Sequence, residues 1–251
     1  MINEIKWVDH LAELRKRLIY SVLFLIIVTI PLFYYSNGLF HYIAQPLLVH
    51  LPNQSKMIAT SISSPVFVPL QLALITGLMI TMPIFLYHLW SFIAPALRHS
   101  EKKIIWPTLI ISIILFYLGI TFSYFIVVPF LIHFFLTIST SDILFMPDIK
   151  TYLSFILKLL FSFGLCFQIP IVIFLLIQYK LFTYIQIKTL RRYVILISFV
   201  VAMFIGPPDF FSQIALAIPI WLLYELGLVA SLIFKNTNEY ANEPQKNSSI
   251  N

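Results

Sequence analysis

Apolar runs separated by short polar gaps set the pattern of this chain. They lie at 18–35, 66–90, 104–128, 152–177, 193–205 and 214–234, and only the fourth and sixth contain a charged residue, Lys158 and Glu225. A helix of about 20 apolar residues crosses a hydrocarbon core of about 30 Å. The pattern predicts an all-α, polytopic membrane protein with six transmembrane helices. The fifth run has 13 residues, which at helical rise is about 20 Å. It reaches across only if flanking residues contribute or the bilayer thins. Prolines 31, 69, 83, 107, 170 and 219 sit in or at the ends of most runs. Each removes a backbone donor and bends its helix, so the helices suit a curved wall with a concave side better than a tight bundle. No internal repeat is visible. Residues 1–234 read as a single transmembrane domain, and the polar, Asn- and Ser-rich stretch 235–251 as a disordered cytoplasmic tail.

Lysine and arginine fix the expected orientation. Thirteen of the 16 fall in alternate gaps, in the segment before the first run, at 91–103, at 178–192 and in the tail. The opposite gaps hold only Lys56 and Lys150. Basic residues accumulate on the cytoplasmic side, so both termini should be cytoplasmic (N-in/C-in). The alternation requires the short fifth run to cross. Lys158, near the outer end of its run, can snorkel to the interface. The first 18 residues carry charges of both signs and no cleavage-site pattern follows, so the first run is expected to be retained.

Composition narrows the classes further. Apolar types make up 60% of the 251 residues and charged types 10%. Soluble domains carry roughly 45–50% and about 25%, so a soluble enzyme, a coiled coil and a disordered chain are excluded. The net charge of +6 sits in the polar gaps without basic-aromatic motifs, which reads as membrane-surface bias and argues against nucleic acid. The single Cys166 has no pairing partner, and the six histidines (10, 41, 50, 88, 99 and 133) lack paired ligand spacing. Gly-x-Ser, His-Glu-x-x-His and Gly-rich phosphate-loop motifs are all missing. No catalytic residue, metal or cofactor is expected.

Three clusters and one residue stand out. His10–Leu18 reads as a short amphipathic helix leading into the first span. Glu13 there is either an exposed i,i+4 partner of Arg17 or an anionic receptor for a cationic ligand. The gap opening at Trp90 carries the apolar run Phe92–Leu97, interrupted by Pro95, and then its lone acid, Glu101. At 203–213, Gly206-Pro207-Pro208 ends one helix sharply, and Asp209 and Ser212 can cap the next. Glu225 lies about 17 Å into the sixth run at helical rise. An intramembrane acid is functional by default, and must be paired, protonated or facing a polar cavity. Gln168 in the fourth run is a neutral polar group at comparable depth.

In order and spacing these stretches resemble the TatC family, the large receptor subunit of the twin-arginine (Sec-independent) protein translocase. The matching stretches are HLAELRKRL, SKMIATSISSPVFVPLQLAL, WSFIAPALRHSE, FYLGITFSYFIVVPF, YLSFILKLLFSFG and PPDFFSQIALAIPIWLLYELG. The resemblance implies a glove-like fold in the bacterial cytoplasmic (inner) membrane. It implies binding of the twin-arginine signal peptides of folded substrates, assembly with single-span TatA/TatB-type subunits, self-association in a multimeric receptor complex, and transport driven by the proton-motive force. Carried over by position, Glu13 and Glu101 would contact the signal's arginines, with Arg17, Phe92 and Pro95 on the same surface. Met203 and Gln213, with Glu225, would lie where partner helices dock, and Pro46 and Pro65 in a periplasmic cap. Two positions depart from the family pattern, Gln168 where an acid is frequent and Gly206 where threonine is common. The alternative is a proton-coupled small-solute transporter using Glu225, which would enclose that residue in a closable cavity.

Overall fold

The computed structural model describes residues 2–50, 57–93, 105–138, 146–179, 181–207 and 209–241; the side chains of 2–11, 14, 50, 93, 105 and 234–241 fall outside that description. The described residues are almost wholly helical: α1 Ile2–Tyr34, α2 Ser36–His50, α3 Ser64–Ile93, α4 Ile105–Phe122, α5 Val128–Ile138, α6 Ile149–Cys166, α7 Ile169–Gln178, α8 Tyr184–Thr189, α9 Arg191–Ile205 and α10 Phe210–Ala241. Two compact units divide the chain, Met1–Gly164 and Leu165–Asn251.

Among the described residues, five stretches are long and apolar enough to cross a membrane: Arg15–Tyr34, Ser64–Phe92, Trp106–Ile138, Ile149–Gln178 and Phe210–Ile233. Helix α9, the short fifth run, has 15 residues, about 22 Å at helical rise, and falls below that length. Helix α10 carries on past 234 to Ala241, so the helix enters the stretch expected to be disordered. Residues 242–251 lie outside the described residues.

In the first unit, α1 packs along α3. Gly77 makes this possible: a Cβ there would stand 2.7 Å from Thr29 Oγ1. Thr29 turns its hydroxyl back to the Leu25 carbonyl at 2.8 Å, which keeps it satisfied away from water. Much of the described part of α1 is exposed, with Leu18, Ile19, Leu23, Ile26, Ile27 and Ile30 all facing outward. A water-exposed apolar face of that extent is foreign to soluble monomers and ordinary against lipid. The core of this unit is built on Leu72, Phe116, Val128, Leu131, Ile156, Leu157 and Phe163, each almost fully enclosed.

The third span runs to Ile138 rather than ending at 128. Between α4 and α5 lies a π-helical turn, Ser123–Val127, in which the Val128 N–H reaches back to the Ser123 carbonyl. Pro129 follows directly. A proline ring inside an α-helix collides with the carbonyl four residues back, and the wider π turn opens the ladder there. The same turn carries Tyr124, whose hydroxyl donates to the Tyr42 carbonyl at 2.7 Å and whose ring stacks on Tyr42. The helix irregularity thus ties α2 to the span.

The fourth span is likewise two helices. Pro170 sits in the first turn of α7, and Gln168 is the residue before that helix. Its N–H bonds to Leu165, and its carbonyl accepts from Ile171 and Val172. A proline costs nothing at a helix start, so the break keeps its backbone groups satisfied within the apolar run.

At the end of the first unit where α3 and α6 begin, two gaps are strapped together. Ile58 bridges to the chain at Asp148, through Ile58 N–H to Pro147 carbonyl at 3.1 Å and Ile149 N–H to Ile58 carbonyl at 2.9 Å. The Asp148 carboxylate holds both sides. Oδ1 accepts from Thr60 N–H and hydroxyl at 3.0 and 2.8 Å. Oδ2 accepts from Thr151 N–H and hydroxyl at 2.9 and 2.8 Å, which caps α6. These bonds from Thr60 and Thr151 hold the carboxyl well below the usual carboxylate range. A depressed carboxylate pKa contributes stability above the unfolded-chain value and loses it as pH falls through the folded one. Amide protection at Thr60 and Thr151 should therefore persist through mild acid, below about pH 4, where free aspartates protonate. Asp148→Ala should raise hydrogen exchange at Ile58, Thr60 and Ile149 at neutral pH and destabilise α6 by about 1 kcal/mol, the usual cost of a lost cap. Exchange unchanged in that variant would show that the backbone bridge holds without the carboxylate.

Candidate functional site

The amino-terminal candidate is set by the register of α1 on α3. Thr29 meets Gly77, and Arg17 lies close enough to His88 to interact electrostatically. Those two levels fix an antiparallel register, by which Glu13 stands level with Phe92, one helical turn beyond His88. Glu13 accepts from Arg17 Nη2 at 2.5 Å, as the i,i+4 spacing predicts. The Glu13 side chain is 43% exposed and Arg17 only 19%. Arg17 Nη1 is buried without a partner. The guanidinium is thus packed inward and holds the carboxylate at the rim. Trp90 Nε1 donates to Ser112 Oγ at 3.2 Å, fastening the end of α3 to α4. Phe92 is half-buried. Pro95 and Glu101 lie outside the described residues.

At the other end of the first unit, Pro46 sits inside α2 and Pro65 in the first turn of α3. Pro65, with Ser64 and Val68, lines a cavity of about 310 Å³.

The second unit contains the remaining candidates. Gly206 ends α9, and Asp209 Oδ1 accepts from the Ser212 N–H at 2.7 Å, so the cap predicted at this turn belongs to Asp209. The two helices form a hairpin. Gln213 Nε2 donates to the Phe199 carbonyl at 3.1 Å, which spends that donor inside the hairpin. Met203 is 61% exposed and offers an open apolar surface beside Phe204.

Glu225 is paired. Its Oε2 accepts from Arg191 Nη2 at 2.6 Å, with side-chain exposures of 21% and 43%. Sequence reading assigned Arg191 to topology alone and missed this partnership. The signal was present, because Arg191 and Glu225 stand at nearly equal distances from the double proline. The pair closes the base of the hairpin. Below it α8 packs on α10 through Ile187, Tyr224 and Leu228, with Ile173 of α7 in the same cluster. The Tyr224 hydroxyl donates to the Ile187 carbonyl, and α8 opens with a complete capping box of Thr183 and Gln186. Gln168 and Glu225 each lie two residues from the point where Pro170 and Gly227 touch; a Cβ on Gly227 would stand 2.9 Å from Pro170 Cα.

Comparison with known proteins settles the family. The profile described as "Sec-independent protein translocase protein (TatC)" matches residues 9–219. The chain belongs to the TatC family. It is 42% identical to the Haemophilus influenzae Sec-independent protein translocase protein TatC, over 91% of this chain and 89% of that one. A relative of the same name from Halothiobacillus neapolitanus is 44% identical over 91% of this chain but only 62% of its own length. The fold is similar to a crystal structure of the twin-arginine translocase receptor TatC, with a TM-score of 0.83, 37% identity and coverage of 90% of this chain and 99% of that one. The alternative, a proton-coupled small-solute transporter, finds no support. Its relatives are translocase proteins, and Glu225 is committed to Arg191.

Removing one member of the Arg191–Glu225 pair strands a partly buried charge, at a cost of about 1–3 kcal/mol. Glu225→Ala and Arg191→Ala should each lower thermal stability in detergent, and the double variant should lose less than the two together. Strict additivity in that cycle would remove the pair from the hairpin's stability.

Proposed function

We propose that this TatC-family chain is the receptor and core subunit of a twin-arginine translocase. It binds twin-arginine signal peptides on its cytoplasmic rim and organises transport of folded proteins, driven by the proton-motive force, without covalent catalysis. Six crossings with both termini cytoplasmic follow from the basic-residue alternation, and membership of the TatC family points to a bacterial inner membrane. In this reading α9 completes the count as a short crossing.

The observation that carries the proposal is Glu13: a carboxylate at the rim, level with Phe92 and oriented by an inward-packed Arg17. A carboxylate offers about four acceptor positions, so one carboxylate can engage more than one cationic group at a time. Arginine makes planar, bidentate pairs with carboxylates, whereas lysine acts as a point charge. That difference would let a rim built on Glu13 and Glu101 distinguish Arg-Arg from Lys-Lys. Phe92 and Pro95 supply apolar contact beside the acids. Single-span partner subunits would dock on the outward face of α9 around Met203, near Gln213, with Glu225 holding the hairpin base beneath them. The relatives' name as translocase proteins, and the receptor wording attached to the similar structure, support this assignment.

Glu13→Ala and Glu101→Ala should each reduce site-specific crosslinking to a twin-arginine signal peptide by about tenfold, the equivalent of one charge-assisted contact. Export of a folded reporter with an Arg-Arg signal should fall in parallel, and a Lys-Lys signal should already be poor with the parent chain. Normal binding and export by both variants would defeat the acidic-receptor assignment.

A further inference from the structure

The cavity at the start of α3 has a composition that neither helix packing nor peptide recognition uses. Its apolar walls come from Phe40 of α2, Val68 and Leu72 of α3 and Ile149 of α6, and its polar lining includes Ser36 and Ser64. Ser64 is 2% exposed, and its hydroxyl is buried without a hydrogen-bond partner. Burying a hydroxyl without an acceptor is costly, so the site favours a ligand that brings an acceptor. Among the described residues no charged side chain lines the cavity, yet a cation adjoins its lining in sequence. Lys150 follows the lining residue Ile149, and its Nζ lies 5.7 Å from the centroid of Phe67, the neighbour of Val68. The nearby Asp148 carboxylate is occupied by its four bonds from Thr60 and Thr151. The spanning stretches Ser64–Phe92 and Ile149–Gln178 begin here, and Arg15–Tyr34 ends two residues before the start of α2 at Ser36. The cavity therefore opens at the level where a bilayer passes from acyl chains to headgroups.

We propose that this cavity binds one anionic glycerophospholipid. An acyl segment fills the slot walled by Phe40, Val68 and Leu72. An ester carbonyl accepts from the Ser64 hydroxyl, and the phosphate pairs with Lys150. About 310 Å³ is at the small end of ligand cavities, enough for part of one chain and the glycerol region. A transmembrane peptide suits the site less well. Its backbone acceptors are already spent within its own helix, and an apolar side chain would leave the Ser64 hydroxyl unsatisfied.

Native mass spectrometry of the detergent-purified full chain tests this, with titrations of dioleoyl phosphatidylglycerol, dioleoyl phosphatidylcholine and inorganic phosphate. One phosphatidylglycerol should bind saturably and more tightly than phosphatidylcholine, and phosphate should not compete. Lys150 and Ala59, a lining residue, are both exposed, so substitutions there spare the core. Lys150→Gln should weaken phosphatidylglycerol about fivefold, the share of one lysine at an anionic surface, and leave phosphatidylcholine unchanged. Ala59→Phe, whose ring occupies the mouth, should abolish saturable binding of both lipids. Unchanged lipid binding in both variants overturns the proposal. So does saturable binding of an apolar single-helix peptide that Ala59→Phe abolishes and phosphatidylglycerol fails to displace.

Discussion

Hydrocarbon offers no hydrogen bonds, and most of this fold is an answer to that constraint. Each interruption of a spanning helix is built so that backbone groups find another partner nearby. Pro129 is preceded by a π turn whose bonds reach back five residues. Pro170 is placed at a helix start, where its missing donor is harmless, and the Gln168 carbonyl takes up two N–H groups. Several helix hydroxyls behave the same way, Thr29, Thr121 and Ser198 each donating one turn back along their own helix. Lipid can then contact the outward face of α1, where Leu18, Ile19, Leu23, Ile26, Ile27 and Ile30 are exposed.

Most of the stronger polar contacts sit at the ends of the spans, and one brings Arg191, at the start of α9, to Glu225 inside the last span. The Asp148 strap joins two gaps at one end of the first unit, and Glu13 with Arg17 marks the other. In the second unit Asp209 caps the turn, and Arg191 with Glu225 closes the hairpin base. Ten acids serve a chain of 251 residues, and these four each hold a specific cap or ion pair. Scarcity follows from the solvent: an acid that is not so engaged is costly near lipid.

Much of this was legible in the residues. Apolar runs gave the helices because a bilayer selects length and hydropathy together, and the family resemblance rested on several stretches in register. Span ends were less legible, as Pro129 shows. A proline reads as a helix boundary, and only the π turn, a three-dimensional adjustment, allows the span to continue to Ile138. Glu13 with Arg17 was predictable because both lie on one helix. Glu225 with Arg191 was not, because the partner comes from another helix and had a sufficient explanation as a topology marker. Asp148 was passed over for a similar reason: its four donors come from residues distant in sequence or hidden in a helix start.

The π turn has one more consequence. Each residue of an α-helix advances its face by about 100°, so a single added residue normally rotates everything downstream out of register. At Ser123–Val127 the extra residue is absorbed within one wide turn. The faces that α4 and α5 present to their neighbours are thereby set independently of each other. The segment acts as a phase adjuster: chain length and helix orientation are uncoupled there, so the two halves of one span could be fitted to different surroundings.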